Sequence, residues 1–255
     1  TATFTFADFC EGSINGAVIT GTTGGDFSFN VAPGGSTGIS TSTGEITNEV
    51  GGSTYSIKYL TTGTCPDSSV VSVKVNALDD PSFTYSSGTY CLTGTDPTPT
   101  VTGTLGGVFS GAGLVINSSS GLIDLDASGV GPYVVKYVTL GTCPDSTTFN
   151  ITITSSPDGS FSYSGPYCSV GTANVTLGVG ASSGSYSSAL GLSLNIGTGA
   201  VDLSTSTPGT YKVYNTITAS GGCSGSIDSA NITINAVDTA TFTFADFCEG
   251  SINGA

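Results

Sequence analysis

The chain has 255 residues, of which 37% are apolar and only 9% charged, with four Lys and no Arg set against eighteen Asp and Glu for a net charge of −14. A typical charged share is about 25%, so Thr, Ser and Gly must supply most of the polar surface. This balance excludes nucleic acid and anionic membranes as partners, because phosphates require clustered cations, and the absence of His removes the commonest general base and metal ligand.

Taken in chain order, the first strand start carries two alternating aromatics, Phe4 and Phe6, and is followed by Phe9-Cys10. A Gly-Gly-x-Phe-Ser segment occupies 24–28, and a turn leading into an apolar residue follows at 42–46 (STGEI). Tyr55, Ile57 and Tyr59 then alternate with polar residues, a cysteine follows in TTGTCPDSS (61–69), and Val71, Val73 and Val75 alternate again. Period-two alternation of this kind marks half-buried antiparallel strands. The outward positions hold Lys58 and Lys74, and no stretch shows sustained helical periodicity.

The same order then starts over. Phe83/Tyr85, Tyr90-Cys91, GGVFS (106–110), SSGLIDL (119–125), Tyr133/Val135/Tyr137, TLGTCPDST (139–147) and Phe149/Ile151/Ile153 form a second series. Phe161/Tyr163, Tyr167-Cys168, SGSYS (183–187), GTGAVDL (197–203), SGGCSGS (220–226) and Ala230/Ile232/Ile234 form a third. Residues 239–255 repeat residues 1–17 without a change, a period of 238. The expected domains are therefore 1–78, 79–156 and 157–238, with 239–255 opening a further repeat. Together with the missing Met, this identity leads us to expect a piece of a longer array, in which each unit is completed by the next. Gly- and Ser-rich turns at sandwich-like spacing predict an all-β chain, with each repeat a β-sandwich of about 80 residues. No apolar run reaches the roughly 20 residues of a membrane-spanning helix, so no membrane insertion is expected of this segment.

Two cysteines per repeat at fixed places predict disulfides and an oxidising exterior compartment. The favoured pairing lies within repeats: Cys10–Cys65, Cys91–Cys143 and Cys168–Cys223, with Cys248 bonded to the next repeat unit. The alternative joins neighbours, as Cys10–Cys143 and Cys91–Cys223. Zinc is disfavoured, since neither His nor a Cys-x-x-Cys pair is present.

The repeat junctions are acidic at Asp79, Asp80, Asp158 and Asp238. These are weak Ca²⁺ candidates, because no dense Asp-x-Asp-x-Asp ligand run exists; Asp124 and Asp126 are the one such pair near a turn. Solvated turn residues are the preferred reading, and no cofactor is expected. Asn117, Asn150, Asn174 and Asn231 begin Asn-x-Ser/Thr sequons and are candidate N-glycosylation sites. Tyr55, Tyr133 and Tyr211 could stack on a ligand, but recur in phase with Ile and Val and read as core. No catalytic constellation is present: Ser and Thr abound with no His or Arg to activate them, so an enzyme is not expected.

The second repeat reads F-T-Y-S-x-x-x-Y-C-x-x-G-T-D-P-T-P-T-V-T-G-T-x-G-G-x-F-S from Phe83 to Ser110, then L-x-I-N-x-x-x-G-x-I-D-L, Y-V-V-K-Y-x-T-x-G-T-C-P-D-S and F-N-I-T-I. Over essentially the whole chain this resembles the tandem repeats of giant Bacteroidota cell-surface adhesins, the gliding-motility-associated proteins exported by the type IX secretion system. The resemblance implies immunoglobulin-like β-sandwich domains arranged end to end as an extracellular, cell-surface stalk, with adhesive parts elsewhere. It also implies O-glycosylation at Asp-Ser/Thr positions, here Ser146, Ser229 and Thr239. The expected function is a structural stalk segment of an adhesive fibre for gliding or attachment. The alternative is a self-associating filament or sheath, and a carbohydrate-binding module is a third reading. Expected partners are neighbouring repeats, with surface glycans or other fibres as further candidates.

Overall fold

A computed structural model of the protein describes residues 1–244 and Glu249. The chain forms two compact units, one built from Thr1–Gly88 with Thr95–Ile153 and the other from Thr89–Gly94 with the chain from Thr154 onward.

In the first repeat the strands are β1 (Phe4–Thr5), β2 (Phe9–Cys10), β3 (Val18–Ile19), β4 (Asp26–Phe29), β5 (Gly38–Ile39), β6 (Ile46–Thr47), β7 (Thr54–Leu60) and β8 (Ser68–Asn76). The main sheet has the order β2-β8-β7-β4. Its centre is the β7–β8 hairpin, paired antiparallel from Leu60↔Ser68 to Thr54↔Lys74. The short β2 pairs parallel to β8 with Phe9↔Val75 and Cys10↔Asn76. Smaller pairs, β1 with β3 and β5 with β6, lie outside this sheet. The alternation read from sequence is what the structure buries: Tyr55, Ile57 and Tyr59 from β7, with Val73 and Val75 from β8.

The second repeat contributes β9 (Phe83–Thr84), β10 (Thr89–Cys91), β11 (Thr100–Val101), β12 (Val108–Ser110), a single helical turn α1 (Leu125–Ser128), β13 (Gly131–Val138) and β14 (Ser146–Thr154). Strands β12, β13 and β14 are neighbours in that order. The turn α1 is capped by Asp124, whose Oδ1 accepts from the Ala127 N–H at 3.0 Å. The third repeat contributes β15 (Phe161–Ser162), β16 (Tyr167–Cys168), β17 (Thr172–Ala173), β18 (Thr176–Leu177), β19 (Ser185–Ser188), β20 (Ser193–Leu194), β21 (Val201–Asp202), β22 (Gly209–Ile217) and β23 (Ser226–Asn235). Its main sheet, β16-β23-β22-β19, reproduces the first, including the parallel pairing Tyr167↔Ile234 and Cys168↔Asn235.

Two side-chain devices recur and account for the sequence landmarks. The first is an aromatic stack across the sheet. Phe27 opposes Tyr59 with ring centroids 4.7 Å apart, and Phe4 meets Phe27 edge-on at 5.4 Å. Phe109 and Tyr137 lie 4.5 Å apart, with Phe83 edge-on to Phe109 at 5.4 Å. In the third repeat Phe161 meets Tyr186 edge-on at 5.4 Å. Tilted and edge-on rings add to plain area burial.

The second device is a buried hydroxyl clamp. Tyr59 donates to the Thr22 carbonyl at 2.9 Å and accepts from the Gly25 N–H at 2.9 Å. Tyr137 donates to the Thr104 carbonyl at 2.7 Å and accepts from the Gly107 N–H at 2.9 Å. The third repeat performs the same task with Asn215, which accepts from Gly184 N–H at 2.8 Å and donates to the Ser182 and Gly159 carbonyls at 3.0 and 2.9 Å. The clamp explains the Gly-Gly-x-Phe motif. A Cβ on Gly107 would sit 2.3 Å from the Val138 carbonyl oxygen and 2.6 Å from the Tyr137 ring.

The favoured cysteine pairing is corrected by this topology. Cys10 lies beside Asn76 at the far end of β8, whereas Cys65 lies in the β7–β8 turn before Ser68. Nine residues of β8 separate those two places, about 27 Å of strand. A disulfide requires Cα atoms within about 7 Å, so Cys10–Cys65 cannot form. The same argument applies to Cys168 and Cys223, which flank the ten residues of β23. The bridges that do form are Cys10–Cys143 and Cys91–Cys223, so Cys91–Cys143 is also replaced. Cys65 and Cys168 are free and exposed. Cys248 lies outside the described residues.

Candidate functional site: the cysteine bridges

Within the first compact unit, Cys10 of the first repeat joins Cys143 of the second with a Cα–Cα distance of 5.5 Å. Cys10 is held by the parallel pairing of β2, extended by the Glu11 N–H bonding the Asn76 carbonyl at 3.0 Å. Cys143 sits in a loop clamped by Thr139 and Asp145. The Thr139 N–H reaches the Asp145 carbonyl at 2.9 Å, and the Asp145 N–H reaches Thr139 Oγ1 at 2.8 Å. Thr139 is fully buried, which hydrogen bonding at both of its polar groups permits. The Asp79 N–H bonds the Cys143 carbonyl at 2.9 Å, and Asp79 Oδ2 accepts from the Gly141 N–H at 2.9 Å. The acidic junction residue thus fastens the cysteine loop.

Within the second unit, Cys91 joins Cys223 with a Cα–Cα distance of 4.6 Å. The Leu92 N–H bonds the Thr154 carbonyl at 2.8 Å, matching the Glu11–Asn76 bond. The divergent SGGCSGS segment forms a tight turn in which Ser220 and Cys223 exchange backbone bonds at 3.1 and 2.9 Å. Gly221 and Gly222 both adopt positive φ, 59° and 78°, which two-residue hairpin turns demand. A Cβ on Gly222 would lie 2.8 Å from the Thr89 carbonyl oxygen. The glycines let this turn approach closely enough for the bridge, which is the physical reason the third loop departs from GTCPD.

Asp80 Oδ1 accepts from the Ser82 N–H at 2.9 Å and from its hydroxyl, and these bonds hold its carboxyl below the usual carboxylate range. Asp158 Oδ1 accepts from the Ser160 N–H at 2.8 Å in the equivalent place. Asp238 is exposed. Asp80 and Asp158 therefore cap turns in their own backbone, while Asp79 reaches across to the Gly141 N–H. Asp124 and Asp126 are joined by Asp96, with one oxygen of each within 4.8 Å of the others. Asp96 Oδ1 also accepts from the Leu125 N–H at 3.0 Å, so two of the three carboxylates hold α1 in place. Asn117, Asn150, Asn174 and Asn231 are all exposed, as are Ser146, Ser229 and Thr239.

Tyr55 is buried, while Tyr133 and Tyr211 are half-buried. Tyr55 lines an open groove of about 580 Å³ with Val31, Pro33 and Val50, but at 7% exposure it offers no ring face for stacking. These tyrosines share a role that strand alternation does not reveal. The Val50 N–H donates to Tyr55 Oη at 3.1 Å, Tyr133 donates to the Ser128 carbonyl at 2.6 Å, and Tyr211 donates to the Thr207 carbonyl at 2.8 Å. Each tyrosine pins the turn that precedes its strand.

No family model matches the chain, and no curated protein matches it. Among solved structures, the chain is similar to the N-terminal eight immunoglobulin domains of Down Syndrome Cell Adhesion Molecule isoform 1.30.30, at 13% identity and a TM-score of 0.50, covering 90% of this chain and 35% of that one. It thus spans about a third of that structure. Mouse cadherin-23 EC22-24 matches at 12% identity and a TM-score of 0.29 over 93% of this chain and all of that one. BT4661, a SusE-like surface polysaccharide-binding protein from Bacteroides thetaiotaomicron, matches at 12% identity and a TM-score of 0.34 over 92% and 60%. The fold is accordingly all-β, of the immunoglobulin-like sandwich type. A strand-opening tyrosine bonded to upstream backbone is a known device of that fold.

Proposed function

We propose that this chain is a structural stalk segment of a giant extracellular repeat adhesin, extending an adhesive fibre from a bacterial surface for gliding or attachment. The observation that carries the reading is the bonding of the first cysteine of the first and second repeats to the second cysteine of the repeat that follows, Cys10–Cys143 and Cys91–Cys223. A bridge between neighbours resists their separation under tension, which an isolated binding module does not require. Disulfides of this kind form in oxidising, exterior compartments. A net charge of −14 with four cations favours mutual repulsion of adjacent fibres. The exposed Asn-x-Ser/Thr and Asp-Ser/Thr positions are accessible to glycosylation, and no catalytic role is assigned to any residue.

Beads coated with antibody against residues 1–238 test the reading on living cells of the source organism. The proposal expects beads to bind intact cells, with directed travel along the cell for a gliding fibre and static attachment for a passive one. Failure to bind intact cells, with binding after lysis, would overturn the surface assignment. Concentration-dependent assembly of the purified chain under reducing conditions would favour the filament or sheath alternative.

A further inference from the structure

Cys65 and Cys168 occupy places that are bridged in the sister repeats. Cys168 pairs with Asn235 as Cys10 pairs with Asn76, and the Ser169 N–H bonds the Asn235 carbonyl at 3.0 Å, as Glu11 bonds Asn76 and Leu92 bonds Thr154. Its backbone is already set as at Cys10 and Cys91, both of which are bonded. Cys65 matches Cys143 just as closely. The Thr61 N–H bonds the Asp67 carbonyl at 2.9 Å and the Asp67 N–H bonds Thr61 Oγ1 at 2.8 Å, repeating the Thr139–Asp145 clamp distance for distance. Both loops carry Gly-Thr-Cys-Pro-Asp. The difference is accessibility: Cys143 is 1% exposed in its bridge, while Cys65 and Cys168 face solvent.

The sequence separations agree. The formed bridges span 133 and 132 residues. Cys65 displaced by the 238-residue period stands 135 residues beyond Cys168. We infer that Cys168 and Cys65 are complementary halves of a third bridge of the same kind, in which Cys168 of one copy of this chain bonds Cys65 of a second copy. The inference rests on the internal repeats alone, whatever use the array serves.

The chemistry balances with a disulfide oxidant. The Cys168 thiolate attacks glutathione disulfide and expels one glutathione thiolate. The Cys65 thiolate of the second copy then attacks the mixed disulfide and expels the other. Two protein thiols are oxidised, one glutathione disulfide is reduced to two glutathiones, and the two protons lost by the protein thiols end on the two expelled glutathione thiolates.

The test uses the full chain carrying Cys248→Ser, so that only Cys65 and Cys168 remain unpaired, incubated with glutathione disulfide over a range of protein concentrations. Non-reducing electrophoresis is expected to give a ladder of multimers whose cross-linked peptides join Cys65 to Cys168. Adding Cys65→Ser or Cys168→Ser leaves each variant monomeric, and mixing the two variants restores a dimer. Overturning results are a chain that stays monomeric with both thiols open to alkylation, links between like cysteines, or a Cys65–Cys168 link within one chain.

Discussion

Replacing Tyr137 by Phe tests whether the buried hydroxyl clamp holds the sandwich together. Tyr137 is 1% exposed, and its hydroxyl satisfies both the Thr104 carbonyl and the Gly107 N–H. The substitution keeps the ring and its 4.5 Å stack on Phe109 but strands two backbone groups. Leaving a buried group unpaired costs about 1–3 kcal/mol. Partial relaxation of the Thr104 carbonyl toward water puts the expected total at about 2–3 kcal/mol by the same range. For a unit of some 80 residues this lowers the unfolding midpoint by about 10–20 °C. Urea titration of the oxidised chain should show a shifted midpoint at unchanged slope. Tyr59→Phe should behave alike. A loss under about 0.5 kcal/mol for both, well below the range for an unpaired buried group, would refute the clamp.

Two further predictions concern pH. Asp67 accepts from the Ala2 and Ser68 N–H groups, each at 2.9 Å, and these bonds hold its carboxyl below the usual value of 3.8. A depressed folded-state value stabilises the fold above pH 3.8 and ceases to do so as pH falls through it. Asp67→Asn should therefore lose stability at neutral pH and show a weaker acid dependence below pH 3.8 in circular-dichroism melts. Tyr163 is pushed up from 10.0 to about 12, first by burial and then by the neighbouring Tyr186 and Tyr167. Its contribution is intact below pH 10 and lost between pH 10 and about 12. Ultraviolet titration should show one tyrosine ionising late, and Tyr163→Phe should remove that late step.

The repeat order, the all-β class and the buried faces of β7, β8, β13, β14 and β23 were legible because alternation and landmark residues are local signals. The tyrosine clamps were not, since a hydroxyl's partner lies some thirty residues away and alternation explains the ring without it. Asn215 shows the difficulty most clearly: nothing in its sequence context marks it as the stand-in for Tyr59 and Tyr137. Cysteine pairing failed for a geometric reason. Spacing within a repeat made Cys10–Cys65 attractive, but the parallel return of β2 beside the end of β8 carries Cys10 away from the Cys65 turn. The glycines of SGGCSGS are a second solution to the same close approach.

The most direct test of a tension-bearing segment stitched across its repeats is single-molecule pulling between Thr1 and Asp238, with and without reductant. With both bridges intact, the shortest path runs from Thr1 to Cys10, from Cys143 back to Cys91, and from Cys223 to Asp238. That leaves about 79 residues of extensible chain, or about 280 Å, against about 830 Å for all 238 residues in the reduced chain. Locking near the shorter length is expected under oxidising conditions, with release to the longer one when reductant is added. An oxidised chain that extends to the full reduced length would contradict the stitching.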